Sequence, residues 1–237
     1  MAKPASGRCV HCLEDVEAIT DDHLFPRSWY PTTTPPNIEK WKFPSCRRCN
    51  GEYGRLEEEL RLALATCVDP KSAAAAGIWP KARDSIDPTK AKSPLDKLKR
   101  GSAQRRFLRR VTEVDPSMSD SLVSEIRSDR PKGQLASFIP AWQIGRFIEK
   151  LTRGTIYVTE KRYIETNQTI KTWRFRAEHD EPIVRLIEAF GELYERGPGI
   201  RIRKAVAQDA MENALFVFDI WDQFRFFGAV LDHDTED

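Results

Sequence analysis

Two Cys-x-x-Cys pairs bracket an Asp-His dipeptide near the start of this 237-residue chain. The pairs are Cys9-Val10-His11-Cys12 and Cys46-Arg47-Arg48-Cys49, and Asn50 follows the second at once. Between them lies Asp21-Asp22-His23-Leu24-Phe25-Pro26. A CxxC turn sets two sulfurs on one side of a tight backbone knuckle, and two knuckles complete a tetrahedral zinc site. Cys9, Cys12, Cys46 and Cys49 are therefore expected to hold a structural zinc, which adds folding energy to a segment with little core of its own. His11, inside the first knuckle, is able to replace a cysteine but is expected to stand exposed. The second chemistry belongs to Asp22, His23 and Asn50. Phosphodiester hydrolysis needs an activated water and a cation for the charge that develops. A neutral histidine can take the proton. A hard divalent ion can stabilise the charge, and it prefers oxygen ligands such as a carboxylate and an amide carbonyl. The plainer alternative makes these three residues surface or capping groups of a zinc-binding module, with Asn50 as a helix cap.

These groups need elements to position them. Val16, Ala18 and Ile19 predict a short strand within residues 14–26, leading to the Asp-His pair. Residues 27–38 read as a Pro- and Thr-rich loop. Trp41 and Phe43 alternate with Lys40 and Lys42 as a second strand should. Leu56, Leu60, Leu64 and Val68 carry helical spacing from a start near Cys49 or Asn50. Neighbours on an extended strand face opposite ways, so Asp22 and His23 can act on one phosphate only if the backbone bends there.

The pattern Cys9-x-x-Cys12, Asp22-His23-x-x-Pro26, Cys46-x-x-Cys49-Asn50 resembles the HNH nucleases of the His-Me finger (ββα-metal) group, and the layout of phage resolvases of the endonuclease VII type. The resemblance covers roughly residues 8–62. It implies His23 as general base, Asp22 and Asn50 as ligands of one magnesium or manganese ion, and a structural zinc behind them. One departure stands out. The family carries a middle Asn that holds the catalytic His, and this chain has Trp41 at that offset. Asn37, in the nearby Pro36-Asn37-Ile38 loop, or a backbone carbonyl is left to orient His23.

The remaining chain supplies candidates for holding substrate. The formal net charge is only +2, but residues 81–110 carry eleven Lys or Arg against Asp84, Asp87 and Asp96, a local excess of about +8. Lys97, Lys99, Arg100, Arg105, Arg106, Arg109 and Arg110 from that stretch, with Arg27, Arg47 and Arg48 beside the motif, are the expected nucleic-acid contacts. Phosphate contacts of this kind give affinity and salt dependence. DNA is the expected substrate, with RNA not excluded. Trp29, Tyr30, Trp41 and Tyr53 can stack bases, although a small domain more often buries them. Cys67 lies in an apolar run and reads as a buried structural thiol.

The expected fold class is α+β in three parts. Residues 1–68 form the zinc-stapled ββα module, 69–135 a helical basic connector, and 136–237 an α+β accessory domain. Within the connector, breaks are expected at Asp115-Pro116 and Arg130-Pro131. In the last part, a helix is expected from Phe138 to Leu151, with strands at 155–159 and 171–176. A second helix from Pro182 is closed by Gly197-Pro198-Gly199, 200–203 alternates, and a terminal hairpin follows. His179 is expected to be exposed. No apolar run reaches membrane-spanning length, no secretory leader is seen, and paired cysteines suit a reducing cytoplasm. Restriction, defence and mobile-element roles fit the resemblance, as do a homodimer or a defence-system partner protein. The rival readings are a non-enzymatic zinc-dependent nucleic-acid-binding module and a nuclease active only within a complex.

Overall fold

A computed structural model describes residues 6–69, 71–113, 135–174, 177–210 and 212–232. The breaks expected at Asp115-Pro116 and Arg130-Pro131 lie outside the described residues, as do the last residues of the acidic tail and the side chain of His179. The class is α+β.

The first knuckle is a small ladder, β1 (Gly7–Arg8) against β2 (Asp15–Val16). β3 (Ile19–His23) then pairs antiparallel with β4 (Lys42–Cys46), setting Asp22 opposite Phe43 and His23 opposite Lys42. α1 (Arg47–Ala65) follows without a linker. Its N-cap is Cys46, whose Sγ accepts from the Cys49 N–H at 3.4 Å. Asn50 is thus not the cap but a first-turn residue, because a cysteine sulfur already satisfies a free N–H there. Tyr53, Leu56, Leu60 and Leu64 are buried along the helix as their spacing requires. The helix ends at Ala65, before Cys67, which is exposed rather than buried. The apolar run had placed it one turn too far into the helix.

The basic stretch folds as α2 (Ile78–Ile86) and α3 (Pro94–Leu108). Ser93 caps α3 by accepting from Asp96 N–H, with Pro94 at its first position. β5 (Val111–Glu113) pairs with β6 (Leu135–Ser137). α4 (Ala141–Glu160) comes next and is longer than expected. It absorbs residues 155–159, which their β-branched composition had marked as a strand. The stripe Ile144, Phe147, Ile148, Leu151 continues through Thr155 and Ile156, so burial on one helical face overrides the local strand preference.

β7 (Gln168–Arg174), α5 (Ala177–Phe190), β8 (Glu192–Gly197), β9 (Ile200–Val206), β10 (Ala214–Ile220) and β11 (Phe224–Asp232) complete the chain. The five strands form one antiparallel sheet in the order β7-β11-β10-β9-β8. Two expectations change here. Pro182 lies inside α5 rather than opening it, and the residues before Pro198 are strand β8. The predicted terminal hairpin forms, with Ile220 opposite Phe224. Alternation along β10 sends Phe216, Phe218 and Ile220 into the main core and Val217 into a smaller cluster with Val184 and Ile187 of α5.

The main core runs across both expected boundaries, from Val10 through Phe147 to Val230. α4 is the shared element: it packs against α1 and β4 on one side and β7 and β11 on the other. Gly154 permits the close approach to the hairpin. A Cβ there would stand 2.7 Å from Leu24 Cδ1 and would overlap the Phe43 ring. Trp29, in the turn after β3, stacks on Phe147 at 4.8 Å, and its carbonyl accepts from Trp221 Nε1 at 2.8 Å. No helix among the described residues is long and apolar enough to cross a membrane.

Candidate functional site

The four cysteines converge. The knuckle between β1 and β2 supplies Cys9 and Cys12, and the β4–α1 junction supplies Cys46 and Cys49. Their sulfurs all lie within 4.8 Å of one another, with Cys12 Sγ 4.0 Å from Cys46 Sγ. A zinc with four thiolates about 2.3 Å away spaces its ligands about 3.8 Å apart. The Cys46 N–H donates to Cys9 Sγ at 3.3 Å. Burial raises the Cys9 thiol, but backbone N–H groups of Cys12, Cys46 and His11 outweigh it and bring it down to about 7. Metals bind the thiolate, so the cluster can hold a structural metal ion.

The Asp-His pair does not converge. β3 stays extended through His23, and Leu24 N–H continues the pairing to Trp41 O at 2.9 Å. Asp22 therefore faces inward toward α1 and His23 faces outward. The His23 ring is half-buried beside Arg27, whose Nε lies 3.4 Å from His23 Nε2. Lost hydration, then Arg27 and Lys42, hold the imidazole below its ordinary 6.5, so it is neutral at pH 7. Trp41 is buried under Arg196, whose guanidinium lies 4.3 Å from the ring centroid. Asn37 is exposed in a turn, and among the described residues it makes no hydrogen bond to His23.

Asp22 is buried and both of its oxygens are engaged. Oδ1 accepts from Lys150 Nζ of α4 at 2.8 Å, and Oδ2 from His11 Nε2 at 3.3 Å. Lys150 Nζ also reaches Glu57 Oε1 of α1 at 2.5 Å. His11 is thus not exposed: its side chain is 3% accessible, packed on Tyr53 at 4.2 Å and edge-on to Phe43. The tight turn folds the His11 ring inward over the hairpin. Burial holds His11 below its ordinary 6.5 despite Asp22. Asp22 resists its own burial through His11 and Lys150 and stays below the usual carboxylate range. An ionised Asp22 only accepts, so the neutral His11 carries its proton on Nε2. Burial pushes Glu57 up to about 7 against the pull of Lys150.

Asn50 reaches the edge of this cluster. Its Nδ2 donates to Thr20 Oγ1 at 3.0 Å and to Asp21 O at 3.4 Å. The magnesium or manganese ion that the resemblance implies on Asp22 and Asn50 does not fit this arrangement. The buried ammonium of Lys150 already supplies the counter-charge of Asp22, and a divalent ion on the same carboxylate would meet its repulsion.

No protein-family model, no curated protein and no solved structure matches this chain.

The basic candidates divide into two groups. Arg48 pairs with Glu14 at 3.4 Å, Arg100 with Asp96 at 3.0 Å, and Arg106 and Arg110 with Glu59 at 3.8 and 3.2 Å. Arg27, Arg47, Lys97, Lys99, Arg105 and Arg109 are exposed and make no ion pair among the described residues. Trp29, Tyr30, Trp41 and Tyr53 are buried, which leaves them as core rather than base-stacking groups.

Sequence reading missed His11, Glu57 and Lys150 as members of the site. Lys150 carried a signal: it falls on the apolar stripe of α4, three residues after Phe147 and four before Gly154, where a lysine needs a buried partner. Nothing local named that partner.

Proposed function

We propose that the β3–β4–α1 unit is an HNH-like phosphodiesterase centre acting on nucleic acid, DNA first, with a structural zinc on Cys9, Cys12, Cys46 and Cys49. The supporting observation is His23. It sits at the last residue of β3, neutral at pH 7, with its ring beside Arg27 and opposite Lys42, whose ammonium also meets the exposed Asp21 at 3.1 Å. His23 takes the proton of the attacking water, and Arg27 and Lys42 place positive charge where the phosphate binds. The zinc holds the β4–α1 junction and takes no part in bond breaking.

A second reading has its own observation. The engagement of Asp22 by Lys150 and His11 favours a zinc-stapled nucleic-acid-binding module without cleavage, with the exposed cations Lys97, Lys99 and Arg105 of α3 as its contacts. One experiment separates the two. Wild type and His23→Ala are assayed for DNA and RNA cleavage with Mg2+, with Mn2+ and with chelator, alongside zinc content and DNA affinity. The nuclease reading expects cleavage by wild type and its loss in the variant, with zinc and affinity retained. Equal cleavage by both sinks it. Tight binding with no cleavage establishes the second reading.

A further inference from the structure

The carboxylates beneath α4 already have a cation. Lys150 Nζ lies 2.8 Å from Asp22 Oδ1 and 2.5 Å from Glu57 Oε1, and the side chain is 0% accessible. The Phe43 and Tyr53 ring centroids each stand 5.8 Å from the same nitrogen, within reach of a cation–π contribution. The three charged groups come from three elements, β3, α1 and α4. The ammonium therefore lies in the cleft between hairpin and helix, next to the strand where Asn50 also arrives.

We propose that Lys150 is the resident cation of the ββα unit. Its ammonium fills the position that the HNH resemblance gives to a divalent ion, and Asp22 is a positioning residue rather than a metal ligand. The two cations compete through charge: a divalent ion would need these carboxylate oxygens at about 2.0–2.1 Å, and it would then stand against the buried ammonium of Lys150. Nor is the ammonium readily expelled, since its loss leaves two buried carboxylates without a counter-charge. Glu57 Oε1 is bound to the same ammonium, and Asn50 uses its Nδ2 as a donor to Thr20 and to the Asp21 carbonyl. The inference holds whether or not the chain cleaves nucleic acid, because it concerns only what Asp22 binds.

The test reads metal binding, so its outcome is independent of any cleavage assay. The full chain, with its cysteine site loaded, is titrated with Mn2+ and free Mn2+ is followed by electron paramagnetic resonance. Wild type and Asp22→Asn are expected to give the same titration. Lys150→Met keeps the length of the side chain and removes its charge. It is expected to gain one Mn2+ site at least roughly tenfold tighter than anything in wild type, and Lys150→Met with Asp22→Asn is expected to lose that site. A Mn2+ site in wild type that Asp22→Asn abolishes overturns the proposal. A folded Lys150→Met chain with no added Mn2+ site also overturns it. Should Lys150→Met fail to fold, the comparison of wild type with Asp22→Asn still decides.

Discussion

At His23, lost hydration and the charges of Arg27 and Lys42 hold the imidazole below 6.5. A general base works when neutral, so cleavage is expected to persist below pH 6.5 and fall along an acid limb centred beneath that value. Arg27→Gln should move the limb toward 6.5, and His23→Ala should lower the rate by about 10²–10⁴. Rate profiles against pH for the three proteins check both points. Glu57 makes a separate prediction, about stability. Burial raises its folded pKa from 4.5 to about 7, so the fold binds a proton that the unfolded chain has released. That contribution is complete below pH 4.5 and is lost as pH rises through about 7. Glu57→Gln keeps an acceptor for Lys150 and removes the ionisation. Its urea midpoint should lack the decline that wild type shows across this window. Both predictions concern residues whose roles depend on partners: Glu57 was unremarkable in the sequence, while His23 was conspicuous there.

At the level of elements, the order strand, loop, strand, helix was legible, as were the helical character of the basic stretch and the terminal hairpin, because turn residues and periodicity are local. The exceptions have physical causes. Residues 155–159 look like a strand until the Phe147–Leu151 stripe is extended by packing on two sides. Asn50 looks like a cap until the sulfur of Cys46 takes that work. The same packing predicts a weak point. Gly154→Ala would force α4 away from Phe43 and Leu24, at a cost of about 1–3 kcal/mol. Urea denaturation should show the loss, and Lys150 should be drawn off Asp22 with it. The cysteine cluster predicts another. Cys46 is both a metal-site sulfur and the cap of α1. Cys46→Ala should therefore reduce bound zinc and loosen the β4–α1 junction together, seen as metal content and hydrogen exchange in α1.

At the scale of the whole molecule, the accessory region is no appendage. α4 lies between the hairpin–helix unit and the five-stranded sheet, and Trp221 donates to the carbonyl of Trp29 across the chain. Unfolding is accordingly expected to be shared rather than confined to residues 1–68. The exposed cations Lys97, Lys99, Arg105 and Arg109 predict the binding term. Replacing all four with Ala should weaken nucleic-acid affinity across sequences, with the salt slope falling by about one for each phosphate contact removed. An unchanged slope in a salt titration would exclude α3 from the interface.

The sequence alone determined the cysteine cluster, the class of fold and the hairpin–helix order around the Asp-His pair. Those properties follow from short spacings that a tight turn or a single helix converts directly into geometry. The tertiary structure alone decided what Asp22 does. Its counter-charge is Lys150, 128 residues away, and a buried carboxylate takes whatever cation the packing brings to it. The resemblance implies a metal ligand at Asp22; packing sets the Lys150 ammonium of α4 against it.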